Sequence, residues 1–388
     1  MPSPSPARIL VVTLDRLPAW ILPAYGSTWV AMPAVDALAG RGLLFDRVIA
    51  TGDDDLATLR DLGLHELGEG ELGADAIVVT DAAHVAEAVG VGSATVRLVE
   101  ARPRQVPETD ADATSLARLM TAARAAVTEQ RHALVWVHAA SLGVTWDAPA
   151  GCREAYADPE DPPPYAGAAV PELAVDADTD PDLVVGIRQA FAGQLTHLDA
   201  CLGPLFAAAS GWHVLVAGVR GLGLGLHGRV GTGPLPPFGE LVHVPAILAD
   251  SAGRMAAQRY GGLVVPADLG ATLRALRDAS AVPPDADAPW QGCSLAGLLT
   301  DWSAPARDRV VVASAQGAAI VTPGWHLLAA EPRPPRLFHK PDDFFELCDV
   351  GDRCPAVVEE LAPLAAAAVT GDVRCGWLAP LREAAGGG

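Results

Sequence analysis

The chain has 388 residues, half of them hydrophobic and 19% charged, which allows a sizeable core and excludes global disorder. Its 27 Lys+Arg against 47 Asp+Glu give a formal charge of −20. That balance excludes the basic stripe of a nucleic-acid binder and the polybasic face that docks on anionic membranes.

No apolar run approaches about 18 residues, so no membrane-spanning helix is expected. The opening MPSPSPARILVVTLD has no charged leader and no cleavage site. It reads as a loose tail entering a strand rather than a signal peptide. Six cysteines (Cys152, Cys201, Cys293, Cys348, Cys354, Cys375) show no CxxC spacing and read as free thiols. The expected compartment is the cytoplasm. Lys340 is the only lysine, and asparagine is absent.

Residues 8–14 (RILVVTL) form a continuous apolar run ending at Asp15, the pattern of a strand buried on both faces of a parallel sheet. Pro33 near the start and Gly40 and Gly42 near the end bracket a short helix over 33–42. LLFDRVIAT reads as a second strand, followed by the acidic run Asp53-Asp54-Asp55. A strand over 74–80 leads into a helix from Asp81 to Val89. A helix is predicted over 111–130 and a strand over 133–138 (ALVWVH).

Residues 147–181, rich in Pro, Asp and Ala, are predicted to be an extended loop. The clearest helix is 182–209, where Val184, Ile187, Phe191, Leu195, Leu198, Leu202 and Leu205 make one apolar stripe. WHVLVAGV (212–219) and ELVHVPAILAD (240–250) read as strands. Strands alternating with helices imply a parallel sheet with helices on both faces. After about residue 305 four short apolar segments and a helix over 355–368 read as a small antiparallel sheet with one helix. The expected organisation is an α/β domain over 1–305 and a C-terminal α+β subdomain over 306–388.

Several segments, in order, resemble the sulfatase family of the alkaline phosphatase superfamily. RILVVTLDRLPAW resembles its first strand, and MPAVDALAGRGLLFDRVIAT the stretch after it. ALVWVHAASLGVTWDAP resembles the strand and loop that carry a histidine. VLVAGVRGLGLGLHG resembles the strand and turn written T-SDHGE-x-LG-x-HG, and ELVHVPAIL the strand beyond. RLFHKPDDFFELCDVGDRCPAVVEEL resembles the C-terminal subdomain.

The resemblance implies an alkaline-phosphatase-like sheet, a formylglycine made from C/S-x-P-x-R, and a divalent cation, usually calcium. The residues depart from that chemistry. Where the modified cysteine belongs the chain reads GDDDLATLRDL, with Asp55 near its position and Thr58 and Thr51 as the nearest hydroxyls. Carboxylates can act as covalent nucleophiles; the same run reads equally as a turn or helix cap.

In the SDHG frame stand Gly218, Val219, Arg220 and Gly221. Asp15 keeps the leading ligand position, but Arg16 follows where many members have a second aspartate. Asp15 with Asp53, Asp54 or Asp55 could form a residual metal site; the alternative is an ion pair with Arg220. Asp15 and Arg220 both follow buried strands, so they are expected in one cleft at the carboxyl edge of the sheet. Gly143 stands where the family has its histidine, His138 is expected to pack beside Trp136, and His227 falls in frame with the HG of the motif.

Gly223-x-Gly225-x-x-Gly228 fits a dinucleotide fingerprint with Asp250 about 20 residues on. Pro234, Pro236 and Pro237 forbid the helix that motif requires.

Three functional readings follow. The first is a sulfatase-like protein without sulfatase activity, in a binding or regulatory role. The second is an ester hydrolase using Asp55, Thr58 or His227 with a rebuilt cation site. The third is an anion-binding module built on Arg16 and Arg220. No cofactor is expected from the residues themselves; calcium rests on the resemblance alone. The expected partner is a small anion or a protein, with neither nucleic acid nor membrane involved.

Overall fold

The opening apolar run folds as β1 (Ile9–Leu14), every residue of it buried. A computed structural model of the chain describes residues 7–64, 75–90, 94–277, 292–300, 302–304 and 307–369. The N-terminal tail, Ala74, Cys375 and position 305 lie outside the described residues.

The remaining strands are β2 (Leu43–Ile49), β3 (Ala76–Thr80), β4 (Thr95–Leu98), β5 (Leu134–Ala139), β6 (Leu173–Ala174), β7 (His213–Gly218), β8 (Gly223–Leu224), β9 (Arg229–Gly231), β10 (His243–Ala249), β11 (Gln258–Val264), β12 (Val310–Ser314), β13 (Gly317–Val321), β14 (Trp325–Ala329) and β15 (Arg336–His339). Eight of them form one sheet in the order β11-β2-β10-β7-β1-β5-β3-β4. β1 pairs in parallel with β5 and β7, and β3 in parallel with β4 and β5.

β10 departs from the expected parallel arrangement: it runs antiparallel to β7, with Ile247 opposite Val216. A parallel return needs a long crossover, usually a helix. The segment between holds only the β8–β9 hairpin and the prolines at 234, 236 and 237, followed by a four-residue helix, Gly239–Val242. That helix also takes the first residues of the strand expected from 240. The hairpin accounts for the glycine fingerprint, since Gly225 (φ 88°) and Gly228 (φ 82°) occupy left-handed turn positions.

The described chain divides into two compact units. One holds residues up to Leu44, 64–233 and 245–260; the other holds 45–63, 234–244 and 261 onward.

In the first unit Leu10, Val12 and Leu14 of β1 lie in one apolar cluster with Val135 and Val137 of β5 and Val214 and Val216 of β7. The helix Pro181–Ala208 adds its predicted stripe from Ile187 to Leu205 to that cluster. It starts as its sequence dictates: Pro181 sits in the first turn, and the Asp180 carboxylate accepts from the Asp182 amide. Each fully buried Leu or Phe of the stripe contributes about 1.5–3 kcal/mol. The helix Ser115–Glu129, capped by Thr114, packs on the same cluster. Residues 147–181 are mostly loop as expected, apart from the helix Ala150–Glu154 and β6.

In the second unit β12–β15 form an antiparallel sheet in sequence order. Alternation decides its two faces. Val311, Ala318, Ile320, Leu327 and Leu337 pack with Leu361 and Ala365 of the helix Pro355–Val369. Val310, Val312, Ala319, Val321 and Phe338 pack with Phe238, Val242 and Leu263.

Candidate functional site

The carboxyl ends of β1, β5 and β7 lie side by side, so the residues that follow them converge. Asp15 follows β1 and is 3% exposed. Its amide donates to Ala139 O at the end of β5, and the Val219 amide donates to Leu14 O. The Leu17 amide donates to Arg220 O, which clasps the turn after β1 to the turn after β7.

Arg220 then reaches back to Asp15. Its Nε donates to Oδ1 at 2.8 Å and its Nη2 to Oδ2 at 3.0 Å, a two-pronged pair. The side chains retain 20% and 5% of their exposure.

Arg16 stands beside this pair, its Nε 3.7 Å from Asp15 Oδ2. Its backbone is left-handed, with φ 63°, a conformation that costs a non-glycine residue of order 1 kcal/mol. Its stem passes over Gly143: a Cβ placed on that glycine would fall 2.9 Å from Arg16 Cγ. The position where the resemblance calls for histidine is therefore the space Arg16 uses.

Gly143 belongs to the turn Ser141–Gly143, which Asp81 holds by accepting from the Ala140 amide at 2.7 Å and the Ser141 amide at 3.1 Å. Burial pushes the Asp81 carboxyl up to about 6, against the lowering effect of those bonds. On the rim, Glu172 accepts from the Thr232 amide and hydroxyl, the Gly233 amide and Arg229.

The other candidates lie elsewhere in the molecule's chemistry. Val219 is fully buried and offers no side-chain oxygen. His138 is buried with Nδ1 3.1 Å from Thr13 Oγ1. Thr13 gives its one proton to Val137 O, so it accepts from both His138 and Trp136 Nε1. His138 thus packs with Trp136 as expected, through a shared hydroxyl. His227 sits half-buried in the β8–β9 turn.

The acidic run belongs to the second unit and is a helix start. Asp54 caps the helix Asp55–Asp61, accepting from the amides of Leu56 and Ala57. Asp55 accepts from the Leu56 amide and Asp53 from the Ala315 amide. Thr58 is 2% exposed, and its hydroxyl donates to Asp54 O one turn back.

A divalent calcium takes about 6–8 oxygen ligands. At the carboxyl edge both oxygens of Asp15 are occupied by Arg220, and a second guanidinium lies alongside. That donor set does not fit a divalent cation. Among the described residues no three His, Cys, Asp or Glu side chains converge as ligands.

Asp81, Glu172 and Thr232 were absent from the sequence-derived candidates. Asp81 carried the same signal as Asp15, an aspartate directly after a buried strand.

No protein-family model matches the chain, and no curated protein does. Solved structures do. The phosphonate monoester hydrolase of Agrobacterium radiobacter superposes with a TM-score of 0.70 at 18% identity, over 92% of this chain and 94% of that one. A 2-O GAG sulfatase gives 0.71 at 16%, over 95% and 93%. The phosphonate monoester hydrolase of Silicibacter pomeroyi gives 0.68 at 15%, over 95% and 96%. At such identities it is the fold that is established: the chain has the α/β fold seen in these phosphonate monoester hydrolases and in the sulfatase.

Proposed function

We propose that this chain is a sulfatase-fold protein that does not carry out sulfate-ester hydrolysis and acts by binding. The observation that carries the reading is the two-pronged Arg220–Asp15 pair, an internal cation at the carboxyl edge of the sheet. A fold does not carry a reaction; its site does. Developing charge on a departing sulfate needs a cation or equivalent worth several kcal/mol, and each ~1.4 kcal/mol is tenfold in rate. Asp53–Asp55 serve as helix cap and turn, and the Thr58 hydroxyl is committed to its own helix, which speaks against a rebuilt nucleophile.

The ligand class favoured by the site is a small oxyanion. Arg16 and Arg220 both approach the Asp15 carboxylate at this edge, and guanidiniums are the side chains that recognise oxyanions in a two-pronged fashion. Arg16 retains 16% of its side-chain exposure and sits in a strained conformation, as side chains presented to ligands often do. No helix among the described residues is long and apolar enough to cross a membrane. A cytoplasmic compartment is part of the proposal and rests on the free-thiol reading of the cysteines.

The test is a turnover screen with aryl sulfate, phosphate and phosphonate esters beside calorimetric titration with sulfate and phosphate. The reading expects no turnover and weak anion binding that is lost in Arg16→Ala. Turnover abolished by Asp55→Asn or Thr58→Ala would establish the hydrolase instead.

A further inference from the structure

A left-handed residue other than glycine persists only where its surroundings fix it. Arg16 has two such neighbours, from opposite parts of the first unit. A Cβ placed on Gly143 would lie 2.9 Å from Arg16 Cγ and 3.7 Å from Thr232 Cγ2, so the Arg16 stem and the Thr232 methyl border the same point. Gly143 belongs to the turn after β5, and Thr232 directly follows β9.

One carboxylate holds Thr232 in place. Glu172 Oε1 accepts from the Thr232 amide at 2.7 Å and from its hydroxyl at 2.5 Å. Glu172 Oε2 accepts from the Gly233 amide at 3.2 Å and from Arg229 Nη2 at 2.9 Å. Burial would raise the Glu172 carboxyl, but these bonds outweigh it and hold the group below its ordinary value. Near neutral pH all four donors therefore meet a charged acceptor, and such bonds are about twice as strong as those between neutral groups. Gly231 lets the two segments approach this closely: a Cβ there would fall 2.5 Å from Pro171 O and 2.6 Å from Glu172 Cδ.

The stretch that carries Glu172 also holds the other wall. Ala168 O accepts from the Trp146 amide at 2.7 Å and from the Thr145 hydroxyl at 3.2 Å, and Thr145 forms an antiparallel bridge with Ala169. Arg153, 3% exposed, fastens the start of this stretch by donating to Tyr165 O, Gly167 O and Trp146 O. Beyond Glu172, Leu173 of β6 lies opposite Val230 of β9. Residues 165–175 thus form a strap from the turn that contains Gly143 to the hairpin that presents Thr232.

We propose, on the anion-binding reading, that Glu172 is a positioning residue of the site: it fixes Thr232 beside the Arg16 stem and so aims the Arg16 guanidinium at a bound oxyanion.

The test titrates the full chain with inorganic sulfate in a calorimeter. Glu172→Ala removes all four bonds and should weaken sulfate binding by about tenfold. Glu172→Gln still offers an oxygen to Thr232 and should recover part of that loss. Thr232→Ser keeps the bonds to Glu172 but lacks the methyl beside the stem, and should also bind more weakly. If Glu172→Ala does not fold, the other two variants carry the test. A second readout needs no ligand: the Arg16 Nε–H signal, assigned by its loss in Arg16→Lys, should broaden or shift in Glu172→Ala. A merely structural clasp would lower the melting temperature and leave sulfate affinity and that signal unchanged. Wild-type affinity retained in all three variants would overturn the proposal and leave the anion-binding reading standing. A wild type that does not bind sulfate would refute that reading and the proposal with it.

Discussion

Replacing Arg220 with alanine removes the guanidinium that occupies both oxygens of a carboxylate retaining 5% of its exposure. Breaking a buried pair by removing one partner costs about 3–5 kcal/mol. Two features reduce that figure. Arg220 keeps 20% of its own exposure, and Arg16 stays 3.7 Å from Asp15 Oδ2 as a partial substitute. The expected cost is about 2–3 kcal/mol, short of the fully buried limit. Urea unfolding followed by circular dichroism measures it. A double-mutant cycle with Asp15→Asn isolates the pair, because removing both partners leaves no orphaned charge. The cycle should give a coupling above about 1 kcal/mol, and millimolar calcium should recover part of the loss in Arg220→Ala alone. A single-variant cost below about 0.5 kcal/mol with no coupling would mean the pair is a surface contact and carries nothing.

Further outcomes follow from the same geometry. Millimolar calcium or magnesium should leave the wild-type melting temperature unchanged in a thermal-shift assay; a rise of several degrees that Asp15→Ala abolishes would reveal a working cation site. Co-expression with a formylglycine-generating enzyme should yield no arylsulfatase activity, since the segment directly after β2 (ATGDDDLATLRDL) holds no C/S-x-P-x-R; released sulfate above the buffer rate is the contrary result. Gly143→Ala should displace the Arg16 stem at about 1 kcal/mol and weaken sulfate binding measured by calorimetry, with unchanged affinity counting against the site. Asp81 has a folded value of about 6, above its unfolded 3.8, so its contribution favours folding at low pH and is lost as pH rises through that window. Asp81→Asn should therefore flatten the stability profile between pH 4 and 6 by up to about 3 kcal/mol, and an unchanged slope in urea titrations would contradict it.

The buried strands and the long helix were legible because hydropathy alone encodes them. β1, β5 and β7 are buried at every position and apolar at all but Thr13, His138 and His213, and the stripe of Pro181–Ala208 repeats at helical spacing. The direction of β10 was not legible, because an apolar run says nothing about which way it pairs; the prolines before it held that information. β4 and most of β11 are exposed or half-exposed, so their alternation is weak, and both went unread. The helix Pro266–Arg277 was also missed, its start being set by Asp268 through a bond to the Val265 amide.

At the site, strand ends placed Asp15 and Arg220 together, and the structure pairs them directly. The left-handed Arg16 and the Gly143 space beneath it depend on two segments meeting from opposite parts of the chain. No local pattern announces such a meeting.

The central claim is that the Arg220 guanidinium occupies both oxygens of Asp15 and leaves no place there for a divalent cation. A crystal structure of the protein grown at saturating calcium tests it most directly. The account predicts Arg220 Nε and Nη2 on the two Asp15 oxygens at about 3 Å, with no ion between them. An ion within about 2.3–2.6 Å of the Asp15 carboxylate, with Arg220 turned away, would contradict it.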